Sequence, residues 1–148
     1  MNYEEYVGLD ISREAVRRCR AMFASDKTKR FKTYSPRRRL SEGVFDATIS
    51  LEVLMHIVDE AEFVATLDLM FEHSRDIVIL QAPLVELLPY VSGSHELHRE
   101  LLPYLEAYPF TILDVIVHPS VTYQDRLAGV IGAMSSDFVI LKRDVGAI

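Results

Sequence analysis

Three places in the chain carry side chains whose types and spacing suit chemistry. The first is Asp10, at the end of the apolar run Tyr6-Val7-Gly8-Leu9 and just before Ser12. A carboxylate at a strand tip can accept from two vicinal hydroxyls at once, or it can open a helix-capping turn beside Ser12. The second is Ser50-Leu51-Glu52, followed by His56. Glu52 has the chemistry of a general base and equally that of a solvated loop carboxylate. His56 brings an imidazole, a side chain type suited to taking a proton from a hydroxyl. Its apolar neighbours Met55 and Ile57 also suit a hydrogen-bonded structural histidine. The third is His95, His98 and Arg99, where the two imidazoles stand three residues apart and share a helical face. Two imidazoles without a nearby cysteine are too few for a metal centre. They fit a ligand pocket or a solvated helix end.

These residues must be held by elements, and strand and helix signals alternate along the chain. Tyr6–Leu9 reads as a short strand. Ser12 is placed to cap a helix whose apolar positions are Ala15, Val16, Cys19, Met22 and Phe23. Lys29–Tyr34 reads as a weak strand near a sheet edge, and Pro36–Gly43 as a loop. Val44–Leu51 is a better strand, opened by Asp46, which reads as structural. Asp59 caps a second helix, with Glu62 at capping-box spacing. Its apolar positions are Phe63, Val64, Leu67, Met70 and Phe71. Asp76–Pro83 is the strongest strand, an aliphatic run suited to cover on both faces. Ser94–Ala107 is expected to be a helix, Phe110–Val117 and Asp137–Lys142 strands, and Tyr123–Met134 a short helix or a loop.

This alternation predicts a mostly parallel sheet with helices on both faces, in one domain over residues 1–148. The last two strands are expected to pair antiparallel at one end. Ligands of open sheets of this kind sit at the C-terminal ends of the strands. That rule selects Asp10, Ser50–His56 and Gln81–Pro83.

Composition sets bounds on function. The chain has 148 residues, 49% of them hydrophobic, enough for a core and unlike a disordered segment. A net charge of −6 argues against a nucleic-acid partner. The one basic run, Arg37-Arg38-Arg39, is short and reads as a solvated loop. The single cysteine, Cys19, rules out an internal disulfide and suits a small core residue. No apolar run reaches the roughly 18 residues of a membrane span, and Met1–Glu5 is unlike a signal peptide. The expected compartment is the cytoplasm, with no membrane partner.

In chain order, these segments resemble class I S-adenosylmethionine-dependent methyltransferases. "YVGLDIS" resembles the family's second strand with its ribose-binding acid. "FDATISLEVLMHIVDEAEF" resembles its fourth strand and following loop, "RDIVILQAP" its fifth, and "SSDFVILKR" its last, antiparallel strand. A narrower likeness, to a set of bacterial methyltransferase-like domains, rests on Ser50–His56, Asp59–Phe71, His95–Arg99 and Ser135–Phe138. The implied fold is a three-layer, Rossmann-like α/β methyltransferase fold with an antiparallel C-terminal strand. The implied cofactor is S-adenosylmethionine, contacted by Asp10, Ile11, Ser50 and Leu51. Glu52 and His56 are the implied catalytic residues. His95, His98 and Arg99 are the implied contacts to a small or carbohydrate-like acceptor.

Two departures qualify the likeness. The glycine-rich loop after the family's first strand is missing, since no G-x-G occurs and Gly8 stands alone within a strand. The acid expected after the third strand is replaced by Tyr34 and Ser35. The sequence therefore reads as N-terminally truncated, without the first strand that lies between the second and fourth. Exposed edges of that kind leave amides and carbonyls unpaired, at about 1–3 kcal/mol for each buried group. Direct pairing of the second and fourth strands, a strand from another chain, or a longer gene product would each repair this, and the last is the expectation. The alternative function is a non-catalytic remnant acting as an interaction module. A nucleotide-dependent oxidoreductase would want the same absent glycine loop, and a receiver-like domain would want an acidic cluster where Asp10 stands alone.

Overall fold

A computed structural model describes residues 3–36, 38, 40–82, 97, 99–116 and 137–146. The chain divides into two compact units, Met1–Leu40 and Ser41–Ile148.

The first unit is a β-α-β element: strand β1 (Tyr6–Asp10), helix α1 (Arg13–Met22) and strand β2 (Lys29–Thr33). The strands are parallel, with Gly8 opposite Phe31. Ser12 caps α1 as its sequence position predicts, its Oγ accepting from the Ala15 amide at 3.2 Å. The helix buries Val16 fully and Ala15, Cys19 and the following Phe23 in part. Met22, expected on the same face, is 74% exposed, because a two-stranded sheet is too narrow to cover the last turn. Gly8 has a packing role: a Cβ there would come within 2.7 Å of the Phe31 ring. That ring also stacks on Phe23, with centroids 5.5 Å apart.

The second unit holds strands β3 (Phe45–Leu51), β4 (Ser74–Ala82), β5 (Phe110–Ile116) and β6 (Asp137–Arg143), with helices α2 (Glu60–Glu72) and α3 (Leu102–Leu105). The strand order is β3-β4-β6-β5. β3 and β4 are parallel, and β6 lies antiparallel between β4 and β5. The last two strands thus pair antiparallel at one end of the sheet as expected, with β6 on the inner side, next to β4. β4 starts two residues earlier than its aliphatic run suggests, because Ser74, fully buried, closes its Oγ onto the Ile77 carbonyl at 2.7 Å.

Asp59 caps α2, its Oδ1 accepting from the Glu62 amide at 2.9 Å. Phe63, Leu67, Met70 and Phe71 enter the core, whereas Val64 stays 36% exposed at the margin of that face. They meet Val78 and Leu80 of β4 and Val139 and Leu141 of β6. Each such side chain contributes about 1.5–3 kcal/mol by leaving water. Arg143 meets a C-terminal carbonyl of α2, Phe71 O, at 3.0 Å and the first carbonyl of β4, Ser74 O, at 2.6 Å.

The helix expected over Ser94–Ala107 is reduced, among the described residues, to Leu102–Leu105. Pro103 stands in its first turn. Proline is tolerated there but cannot carry a helix running in from upstream, since it has no amide to donate. Leu97 is instead in a single bridge, its amide donating to Met55 O at 2.8 Å. Among the described residues β1 pairs with β2 in one sheet and β3 with β4 in another. Among the same residues no helix is long and apolar enough to cross a membrane.

Candidate functional site

In the first unit, the C-terminal tip of β1 carries Asp10, which is exposed. Its Oδ1 accepts from the Ser12 amide at 2.7 Å, an Asx turn that leads the chain into α1. The capping role read from the sequence is therefore present, and the carboxylate remains open to solvent. Ile11, beside it, is 72% exposed.

In the second unit, β3 ends in Ser50, Leu51 and Glu52. Ser50 is buried opposite Leu80, and Leu51 is 46% exposed. Glu52 is exposed and has φ +56°, the one positive-φ non-glycine residue among those described. The chain turns sharply here into a 3-10 turn over Leu54–His56, anchored by the buried Leu54. Left-handed backbone costs an L-residue about 1 kcal/mol. Strain of this kind concentrates where a site needs a side chain held in place. Glu52→Gly is expected to raise thermal stability, worth about 1 kcal/mol, as read by circular dichroism melting. An unchanged or lower melting temperature would show that the Glu52 side chain makes up for the strain. His56 closes the 3-10 turn and is exposed.

Arg99 is held by contacts within the chain. Its side chain is only 7% exposed. It donates to Glu60 Oε2 at 2.9 Å, to Ile57 O at 2.7 Å and to Val58 O at 2.8 Å. Its guanidinium also lies over the Phe63 ring, 4.4 Å from the centroid. Arg99 thus clamps the segment joining the 3-10 turn to α2. His95 and His98 lie outside the described residues.

Glu60 is shared. Tyr104 donates its hydroxyl to Glu60 Oε1 at 2.7 Å. The Tyr104 hydroxyl and Arg99 together hold the Glu60 carboxyl below its ordinary value near 4.5. A carboxyl lowered on folding contributes stability that is complete above its unfolded pKa and lost as pH falls through the folded value. Glu60→Gln should therefore flatten the acid side of the melting-temperature profile below about pH 4.5. An unchanged slope there would remove Glu60 from the account.

Two further residues have structural partners. Tyr108 stacks on Phe71 at 3.9 Å and donates to Asp68 Oδ1 at 2.8 Å; burial, then that bond, raises its pKa. Asp46 pairs with Arg75 at 2.7 Å on the surface. A cavity of about 10 Å³ between Leu54, Phe63, Ala82 and Arg99 has room for no more than one water. Among the described residues no three His, Cys, Asp or Glu side chains are grouped to hold a metal.

Sequence reasoning missed the Arg99–Glu60–Tyr104 cluster. It also missed a division of charge. Residues 1–40 carry eleven Lys and Arg against five Asp and Glu, a net +6; the remainder carries five against seventeen, a net −12. A count by segment would have found it.

No protein-family model matches the sequence, and no curated protein matches it. Solved structures do match. Magnesium protoporphyrin IX methyltransferase from Synechocystis PCC 6803, with bound S-adenosylhomocysteine, is 18% identical with a TM-score of 0.63. The match covers 95% of this chain and 64% of that one. The methyltransferase domain of bacterial CtHen1 gives 17% identity and a TM-score of 0.69, covering 96% and 78% of the two chains. The N-methyltransferase NodS from Bradyrhizobium japonicum WM9, in complex with S-adenosylhomocysteine, gives 11% identity and 0.68, covering 94% and 66%. The chain has the Rossmann-like fold of class I methyltransferases, and it spans less than two thirds of the first of these structures.

Proposed function

We propose that the chain serves methyl transfer from S-adenosylmethionine to a small or carbohydrate-like acceptor. The observation that carries this reading is the strand pattern. An antiparallel β6 is inserted beside β4 in a chain whose polar residues, Asp10 and Ser50–Glu52, stand at the C-terminal ends of β1 and β3. The residues fit the cofactor in part. Asp10 offers a solvent-facing carboxylate for the ribose hydroxyls, and Ile11 offers exposed apolar surface beside it. Ser50 and Leu51 are assigned to the methionine end. The glycine-rich loop that would lie under that end is absent from the sequence.

S-Adenosylmethionine, when bound, supplies a methyl group on an electrophilic sulfonium. The protein has to align the acceptor, exclude water and, for a hydroxyl acceptor, take a proton. Glu52, held by its left-handed backbone, is assigned to the cofactor ammonium or to that proton. His56 is the alternative base. His95 and His98 are assigned to the acceptor, while Arg99 positions the segment beside His56 rather than touching substrate.

A second reading, a non-catalytic interaction module, rests on the missing glycine loop. Calorimetric titration of the chain with S-adenosylmethionine separates the two. One-site saturable heat supports methyl transfer; silence supports the module or a fragment that needs the rest of a longer chain to bind.

A further inference from the structure

The first unit contains a groove of about 480 Å³ between the end of α1, the turn that follows it and β2. Arg20, Lys27, Lys29, Arg30 and Lys32 face it, against the single acid Asp26. Phe23 and Phe31 also line it, stacked on one another. None of the lining residues belongs to β1.

The cations come from three different elements. Arg20 leaves α1 and forks onto the Phe31 carbonyl at 2.9 and 2.7 Å. Lys27 leaves the turn, donating to Ala24 O at 3.1 Å. Lys29 pairs with Asp26 at 2.8 Å and lies 4.4 Å from the Phe23 centroid, while Arg30 pairs with Glu5. A lysine-rich edge strand guards a sheet against pairing with other chains. That purpose accounts for the β2 cations and for Arg20, which covers a β2 carbonyl, but it does not explain Lys27, which comes to the same hollow from the turn. Cations gathered in a concave site repel one another, and they focus field on an anion that enters. The segment that holds them is net +6 within a chain of −6, so the overall acidity hides the groove.

We infer that this groove binds an oligophosphate ligand. Its volume suits one nucleotide-sized body. Phe31 and Lys29 cover the Phe23 ring, so the recognition lies in the phosphate run itself, a chemistry that a single-stranded oligonucleotide and free polyphosphate share.

Fluorescence anisotropy of the 148-residue chain with a labelled, mixed-sequence single-stranded decamer tests this. Saturable binding is expected at about 50 mM salt, with log K falling linearly in log salt at a slope of about −2 to −3. The double variant Lys27→Ala/Lys32→Ala should weaken binding at least about tenfold with an unchanged melting curve. Arg75→Ala/Lys142→Ala removes the same charge from the other unit and should change binding by no more than about twofold. If the first double variant fails to fold, Lys27→Ala alone replaces it, expected to weaken binding by about threefold or more. Competition with inorganic tripolyphosphate identifies the source. Displacement at equal phosphate concentration means free polyphosphate, and displacement only in large excess means the strand; both support an oligophosphate site. Failure of both probes to bind, equal losses in the two double variants, or equal displacement by poly-glutamate would overturn it.

Discussion

Asp10→Ala is expected to weaken binding of S-adenosylmethionine by about 100-fold in a calorimetric titration. Two charge-assisted hydrogen bonds to vicinal hydroxyls are worth about 1.5–3 kcal/mol each before the water they displace is counted, and about 2.7 kcal/mol net gives that factor. Asp10 also closes the turn onto the Ser12 amide at 2.7 Å, so alanine removes a cap as well as a ligand contact. Asp10→Asn separates the two roles. Asparagine keeps an acceptor for Ser12 and so should preserve the melting temperature. It loses the charge and one acceptor, and should bind the cofactor at least about tenfold more weakly than the parent. Equal affinity of parent and alanine variant would end the assignment of Asp10 to the ribose.

Arg99→Ala is expected to lower stability by about 2–3 kcal/mol, read as a lower midpoint in urea with an unchanged slope. The substitution strips hydrogen bonds from two carbonyls, Ile57 O and Val58 O, and from the Glu60 carboxylate, and it uncovers the Phe63 ring. Arg99→Lys should recover only a small part. One ammonium cannot serve three acceptors in the plane of a fork while lying flat on a ring. An acceptor-binding arginine would behave in the opposite way, leaving stability intact and changing only substrate affinity. Stability within about 0.5 kcal/mol of the parent would return Arg99 to the acceptor pocket.

Much of the fold was legible because it rests on local signals. Ser12 and Asp59 cap their helices where the sequence places them, since a cap is a contact three residues long. The alternation of strand and helix, and the antiparallel last strand, follow from the hydrophobic pattern and the resemblance. What was not legible depends on contacts distant in sequence. Arg99 meets Glu60 39 residues away, and nothing in "HELHRE" distinguishes a clamp from a pocket arginine. Met22 matches the apolar stripe of α1 but lies beyond the cover that two strands can give. Pro103 was a local signal that outweighs the helical spacing upstream of it. The basic groove was hidden by averaging, because charges of +6 and −12 sum to an unremarkable −6.

The proposed cofactor assignments are separately legible as strand-end chemistry: an exposed Asp10 at one tip, a buried Ser50 and a left-handed Glu52 at another. Amide chemical-shift mapping of the 15N-labelled chain during titration with S-adenosylhomocysteine tests them most directly, and it detects weak as well as tight binding. The account predicts saturable shifts that share one dissociation constant at Asp10, Ile11, Ser50, Leu51 and Glu52, with Lys27 and Lys32 of the basic groove unmoved. An unshifted spectrum up to millimolar ligand, or shifts confined to the groove, would contradict it.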